Sequence, residues 1–304
     1  MRQPWDPEIQ VTPEIAAAAI ERQFPALRPA RPEPLGSGWD NAAFLVNGRY
    51  VFRFPRRHIA VPLIRAEMRY LPLLAPRLPV AVPMPRFAGA PDSGFPYPFA
   101  GYERLLGTPA CRLTWTAEAR AGLAWPLGRF LAALHAIPVD SRSAAEAPGD
   151  TLRRADMRAR LPLLRQRLAR ALPPQPGLGS EELAELAGRL AEAPPHTSGP
   201  CWVHGDLYAC HLLVEEAGRL SGVIDWGDLH LGDPAVDLSI AFSFLPPAAR
   251  PALREAYGPV PEAAWDRARF RALHYGVVLL LYGRETGDEA FRAAGEHALR
   301  GAME

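Results

Sequence analysis

This chain contains no lysine; all 34 of its basic residues are arginine. Asparagine occurs only at Asn41 and Asn47, whereas proline occurs 34 times. That skew reflects the composition of the source genome, and it gives no argument for thermophily, whose usual mark includes lysine enrichment. An excess of charge is also missing. The formal net charge is +1, which removes any global electrostatic case for nucleic acid or an anionic membrane as partner. Cysteine is scarce: Cys111, Cys201 and Cys210 form neither an even framework nor a Cys-x-x-Cys pair. A reducing compartment without a disulfide framework is therefore expected. The apolar run Val277 to Leu281 is far too short to span a bilayer. The opening residues Met1 to Asp6 lack the apolar core of a secretory signal. The expectation is a soluble, cytoplasmic protein, long enough at 304 residues for one large or two modest domains.

What is present centres on Trp202-Val203-His204-Gly205-Asp206, followed by His211 and Asp225. Leu212-Leu213-Val214 and Gly222-Val223-Ile224 read as two short strands, with Gly218 supplying the turn between them. If the turn centres on Gly218, partner numbers sum to about 436, and His211 faces Asp225 across the ladder. Two carboxylates and an imidazole then gather at one end of a hairpin. Carboxylates crowd in this way when a cation holds them or when they handle protons. A turn-rich hairpin with solvated acids is the competing reading.

The spacing resembles the catalytic segment of protein-kinase-like enzymes: His-x-Asp, four residues, a metal ligand, then a hairpin ending in Asp-aromatic-Gly. Here the last element is Asp225-Trp226-Gly227. The central glycine of His204-Gly205-Asp206 and the run Ile224-Asp225-Trp226-Gly227-Asp228 resemble the aminoglycoside phosphotransferase family of small-molecule kinases. His211 in place of the usual Asn looks most like the macrolide phosphotransferase branch. The resemblance implies an α+β, bilobal protein-kinase-like fold, with an antiparallel sheet and a helix in the N-terminal lobe and a mainly helical C-terminal lobe. It implies Asp206 as the catalytic residue that accepts or orients an acceptor hydroxyl, and His211 and Asp225 as ligands of Mg²⁺. Nitrogen is a softer ligand that suits Mn²⁺ somewhat better. His204, Asp233 and Asp237 are expected to give structural support, with Asp233 also capping a helix that Pro234 begins.

Upstream, Thr12-Pro13-Glu14 reads as a helix start running to about Gln23. Gly36-Ser37-Gly38 leads into Phe44-Leu45-Val46, and Asn47-Gly48 turns the chain into Tyr50-Val51-Phe52-Arg53-Phe54, a strong hairpin signal. Partner sums of about 95 place Arg53 near Ala42. A glycine loop can lay its N–H groups along phosphates, with Arg53 as the adjoining cation; a plain hairpin turn would read alike. In the resemblance Glu67, on a helix from Ile59 to Leu71, pairs with that strand cation. The backbone around Glu103 to Leu105 serves as a hinge that would bind the purine of ATP or GTP. The domains expected are 1–104, nucleotide-binding, and 105–304, carrying the catalytic loop and the acceptor pocket.

Farther on, Leu127, Phe130, Leu131 and Leu134 mark one apolar helix face, and His135 reads as structural. Ser141 to Asp150 reads as a polar loop, Leu152 to Leu172 as an arginine-rich helix with a solvated face, and Pro173 to Gly179 as a loop. From Glu262 the chain reads as helical, with Trp265, Phe270, Tyr275, Tyr282 and Phe291 as core or acceptor-lining aromatics. The partners expected are a nucleoside triphosphate and a small molecule bearing a hydroxyl, of macrolide or aminoglycoside type. A housekeeping kinase of a sugar or amino alcohol fits the same motifs. A nucleotide-binding pseudokinase serving as an interaction module is disfavoured by the presence of both Asp206 and Asp225.

Overall fold

A computed structural model describes residues 6–38, 40–172 and 179–304. Trp39 and most of the loop expected at Pro173 to Gly179 lie outside the described residues. The chain divides into two compact units. One comprises Met1–Pro76, Ala81–Leu105 and Trp226–Asp228, the other Arg77–Val80, Leu106–Asp225 and Leu229–Glu304.

The first unit begins with helix α1 (Pro13–Gln23). The Thr12 hydroxyl accepts from the Ile15 N–H at 3.3 Å, and Pro13 occupies a position whose N–H would have no helical partner. A five-stranded antiparallel sheet follows. Its strands are β1 (Pro32–Ser37), β2 (Asn41–Val46), β3 (Tyr50–Pro55), β4 (Pro85–Gly89) and β5 (Phe99–Glu103). They lie in the order β1-β2-β3-β5-β4. Helix α2 (Ala60–Leu74) connects β3 to β4. Asn47 and Gly48 both take positive φ, 53° and 66°. Three residues separate Val46 from Tyr50, so partner numbers sum to 96 and Arg53 pairs with Ala43 instead of Ala42.

One face of the sheet is a phenylalanine core. Phe52, Phe54, Phe95 and Phe99 are buried with Ala16, Ala19 and Ile20 of α1. Phe54 and Phe99 stack at 4.6 Å. The Phe52 ring lies over Gly101, its cross-strand partner; a Cβ there would come within 2.5 Å of the ring. The absence of a side chain at residue 101 therefore permits the aromatic layer to close.

The second unit is mainly helical: α3 (Ala117–Ala121), α4 (Ala124–His135), α5 (Ser141–Glu146), α6 (Met157–Ala171) and α7 (Ser180–Leu190) precede the His204–Asp225 segment. After it come α8 (Ala235–Leu238), α9 (Ile240–Ser243), α10 (Arg250–Tyr257), α11 (Glu262–Thr286) and α12 (Glu289–Met303). Helix α5 replaces part of the polar loop expected at Ser141 to Asp150. The Asp140 carboxylate caps it by accepting from the Ser143 N–H at 2.6 Å, which starts a helix in a segment with little apolar patterning. Similarly, α6 begins at Met157, where Asp156 accepts from the Ala159 N–H at 2.9 Å. Helix α11 is buried on most sides and packs against α6, α7, α8, α9 and α12. Gly287 in the left-handed region ends it, and Asp288 caps α12. Among the described residues no helix is long and apolar enough to cross a membrane.

The short strands β6 (Thr108–Pro109), β7 (Cys201–Val203), β8 (Leu212–Val214), β9 (Leu220–Val223) and β10 (His230–Gly232) complete this unit. They form a β6-β8-β9 sheet and a β7-β10 pair. Leu212 pairs with Val223 and Leu213 with Gly222, with an irregularity before Val214. Partner sums are thus 435 rather than 436, and the His211 carbonyl accepts from the Ile224 N–H at 2.9 Å. Asp225 lies one residue beyond that pairing. The cysteines also depart from expectation: Cys111 and Cys210, 99 residues apart in sequence, form a disulfide, and Cys201 is the free thiol. Sequence spacing could not show this, because the pairing depends on the fold bringing two 3₁₀ turns together.

Candidate active site

Strand β7 delivers His204-Gly205-Asp206 to the start of a loop that Asp237 holds from α8. Asp237 is fully buried. Its Oδ2 accepts from the His204 N–H at 2.7 Å and its Oδ1 from the Gly205 N–H at 2.9 Å. His135 of α4 adds a hydrogen bond to Oδ2 at 3.2 Å, while its Nδ1 meets the Tyr257 hydroxyl at 2.9 Å. Burial opposes the Asp237 charge, yet the His135 hydrogen bond and the neighbouring donors hold its carboxyl below its ordinary range. Gly205 sits at φ 83°, a backbone region that a side chain rarely enters. The loop turns there so that two successive N–H groups reach one carboxylate.

His204 is fully buried. Its Nδ1 accepts from the Asp206 N–H at 3.2 Å, so the ring proton is on Nε2, which donates to the Ile224 carbonyl at 3.0 Å. Burial pushes its pKa down, which favours this neutral form. One imidazole thereby ties the start of the loop to the end of β9.

His211 has the opposite tautomer. Its Nδ1 lies 2.7 Å from the Asp206 backbone carbonyl, which can only accept, so the proton of the neutral ring is on Nδ1. The lone pair on Nε2 then faces Asp225 Oδ2 at 3.4 Å. Asp225 itself takes φ 64°, an uncommon left-handed backbone for a residue other than glycine. Its carboxylate is 44% exposed, and His211 is 10% exposed. Two electron-rich atoms so placed suit a divalent cation. Mg²⁺ needs only one or two protein ligands when phosphates and water complete its shell. Among the described residues no group of three or more His, Cys, Asp or Glu could hold a metal by itself. The donor set therefore fits a metal shared with a phosphorylated ligand.

Asp206 is 20% exposed, and its Oδ2 lies 3.8 Å from His211 Nδ1. Its other oxygen lies 3.9 Å from Arg271 of α11, a residue the sequence did not single out. Arg271 stacks on Tyr275 at 4.6 Å, and Tyr275 meets Tyr208 edge-on at 5.0 Å. Burial first, and then the Asp206 charge, hold the Tyr275 phenol well above its ordinary pKa. The one available sequence signal was the i, i+4 spacing of Arg271 and Tyr275, hidden in a helix that reads as core. Asp233 stands apart from this group. It accepts from the Ala235 N–H at 2.9 Å and pairs with buried Arg267 at 2.6 Å, both of them structural contacts.

The remaining candidates belong to the first unit. Gly36 and Ser37 end β1, opposite Ala43 and Ala42. The exposed Gly38 donates its N–H to the Asn41 carbonyl at 3.0 Å, and its own carbonyl accepts from Arg56 at 2.8 Å. Arg53 of β3 and buried Glu67 of α2 are joined at 2.7 Å. Glu103, at the end of β5, takes Arg49 at 3.0 Å and Arg86 at 2.5 Å on its carboxylate. The Arg104 N–H donates to the Arg49 carbonyl at 2.9 Å, so this backbone amide is already used. Leu105 is the last residue of this segment of the unit.

A family model described as the phosphotransferase enzyme family matches residues 31–273. The chain belongs to this family. The GDP complex of wild-type aminoglycoside 2'-phosphotransferase-IIIa superposes on it with a TM-score of 0.72 at 25% identity, covering 96% of this chain and 98% of that one. The macrolide 2'-phosphotransferase MphH of Brachybacterium faecium does so with a TM-score of 0.58 at 26% identity, covering 94% and 97%. The antiparallel sheet with its helix and the mainly helical remainder are therefore the kinase-like fold of this family. By sequence, viomycin phosphotransferase of Streptomyces vinaceus is 41% identical over 64 residues, 20% of this chain and 22% of that protein. The Bacillus subtilis protein YcbJ is 26% identical over 102 residues, 34% of this chain and 32% of that one. These matches span a third or less of the lengths of the curated relatives.

Proposed function

We propose that this family member transfers the γ-phosphoryl group of ATP or GTP to a hydroxyl of a small molecule. The observation that carries the reading is the His211–Asp225 pair at 3.4 Å, with the loop between Asp206 and His211 fixed by the 2.7 Å bond from His211 Nδ1. Phosphoryl transfer asks the protein mainly to position groups and to balance charge. Asp206 receives or orients the acceptor hydroxyl proton. His211 Nε2 and Asp225 would hold Mg²⁺, which when bound would neutralise charge on the phosphate oxygens. The backbone of Gly36, Ser37 and Gly38 and the guanidinium of Arg53 serve the phosphates, with Glu67 fixing Arg53. The backbone at Glu103 and Leu105 serves the purine.

Antibiotic-type acceptors are supported by the relatives named for viomycin, macrolides and aminoglycosides. A second reading, a kinase of a cellular metabolite, is favoured by Arg271. A buried guanidinium 3.9 Å from Asp206 is poorly suited to a polycationic acceptor. The test is mass spectrometry after incubation with Mg²⁺, ATP or GTP, and a panel of macrolides, aminoglycosides, sugars and amino alcohols. A gain of one phosphate, reduced about 100-fold or more in Asp206→Asn, is expected. Nucleotide binding without transfer to any acceptor would overturn the reading in favour of a pseudokinase.

A further inference from the structure

The arginines of α6 are not all on a solvated face. Arg158, Arg165 and Arg170 are exposed, but Arg167 turns inward and is half-buried. Its NH1 lies 3.4 Å from Nε2 of His274, which is 4% exposed on α11. A guanidinium can only donate. His274 Nε2 therefore carries the lone pair, and its proton is on Nδ1. That Nδ1 is buried and has no hydrogen-bond partner among the described residues. One turn earlier on the same face of α11 lies Arg271, 8% exposed, which reaches Asp206 at 3.9 Å. On α6, Arg160 lies seven residues before Arg167, on the same face.

The neighbouring acids are engaged elsewhere. Asp150 pairs with Arg154 at 3.5 Å, Asp156 with Arg153, and Glu285 with Arg170. Burial, followed by the charges of Arg271, Arg167 and Arg160, pushes the His274 pKa down to about 2. Burial also lowers the pKa of Arg167, and the charges that act on it are those of Arg160 and Arg170. The region thus presents buried donors and positive charge, with Asp206 at one edge as the carboxylate beside it.

We infer that Arg167, His274 and Arg271 bind an anionic group, a carboxylate or phosphate, carried by the hydroxyl compound that Asp206 serves. The acceptor class this names rests on the phosphotransferase reading above. The unpartnered His274 Nδ1–H and the two guanidiniums are donors of the kind that planar or tetrahedral oxyanions require. Arg167 is the member of the cluster that reaches solvent. Arg271, one helical turn from His274, connects this cluster to Asp206 at 3.9 Å.

The test uses the full chain with Mg²⁺ and saturating ADP, and titrates inorganic phosphate and acetate by calorimetry. Saturable binding is expected, weakened about tenfold or more in Arg167→Gln and largely kept in Arg167→Lys. The stronger of the two anions identifies the group. Acceptor assays then compare matched pairs: sugar phosphates against sugars, and hydroxy acids against their methyl esters. The anionic member should have a kcat/KM at least about tenfold higher, through KM, and Arg167→Gln should erase that preference by raising KM for the anionic member, with Arg167→Lys largely restoring it. Equal turnover of both members, or anion binding unchanged in Arg167→Gln, overturns the assignment. So does phosphate binding that is seen in a parallel titration without ADP but is absent at saturating ADP, because the site would then belong to the nucleotide. Anion binding that depends on Arg167, with no hydroxyl compound phosphorylated, supports the anion site and counts against the phosphotransferase reading.

Discussion

Asp237 holds the start of the His204–His211 loop, with three hydrogen bonds on its carboxylate. It accepts from two consecutive backbone N–H groups and from an imidazole, at zero exposure. In Asp237→Asn the amide NH₂ would have to face one of these donors, leaving a buried N–H or ring nitrogen unmet. The expected cost is on the order of 3 kcal/mol of stability. Transfer activity should fall as well, since Gly205 would no longer be held at its positive φ. Urea unfolding and the transfer rate measured on the same variant check this. An unchanged urea midpoint together with an unchanged rate would show that the carboxylate does not organise the loop.

Among elements, the β3–β5 pair carries a sharp packing constraint. The Phe52 ring occupies the space that a side chain at Gly101 would need. Gly101→Ala should destabilise by about 1–3 kcal/mol through overpacking, and Phe52→Leu in the same chain should recover part of that loss. Additive costs in urea titrations of the two single variants and the double variant would show that the ring and the strand do not compete. The elements also show which parts of the molecule were legible from sequence. Thr12-Pro13 and Asn47-Gly48 marked their structures through local backbone chemistry, and His204, Asp206, His211 and Asp225 stood out by spacing. Helix α5 was missed because a single capping carboxylate, Asp140, begins it without an apolar stripe. Arg271 and His274 were missed because an apolar helix hides polar residues that point toward another element. The cross-strand sums came out one unit off because turn length, rather than the turn residue itself, sets register.

For the molecule as a whole, the Cys111–Cys210 bond closes a long loop and ends beside His211. Cross-linking 99 residues should stabilise the chain by about 3–5 kcal/mol through the unfolded state. Reduction should therefore lower Tm on the order of 10 °C, and Cys111→Ser should match the reduced protein. Thiol titration in denaturant should find one reactive thiol, Cys201, before reduction. Three thiols without added reductant, or a Tm indifferent to reductant, would show that the pair stays open. The Asp237 cluster has a consequence of another kind, in the order in which the chain becomes itself. His135 and Asp237 are 102 residues apart, and His135 and Tyr257 are 122 apart. Helices form from neighbours within about a microsecond, whereas contacts of that span wait for the slow closure of long loops. The loop that begins at His204 thus takes its shape only after α4, α8 and α10 have met. A chain still being synthesised, or stalled before Tyr257, can be rich in helix and yet have no completed site.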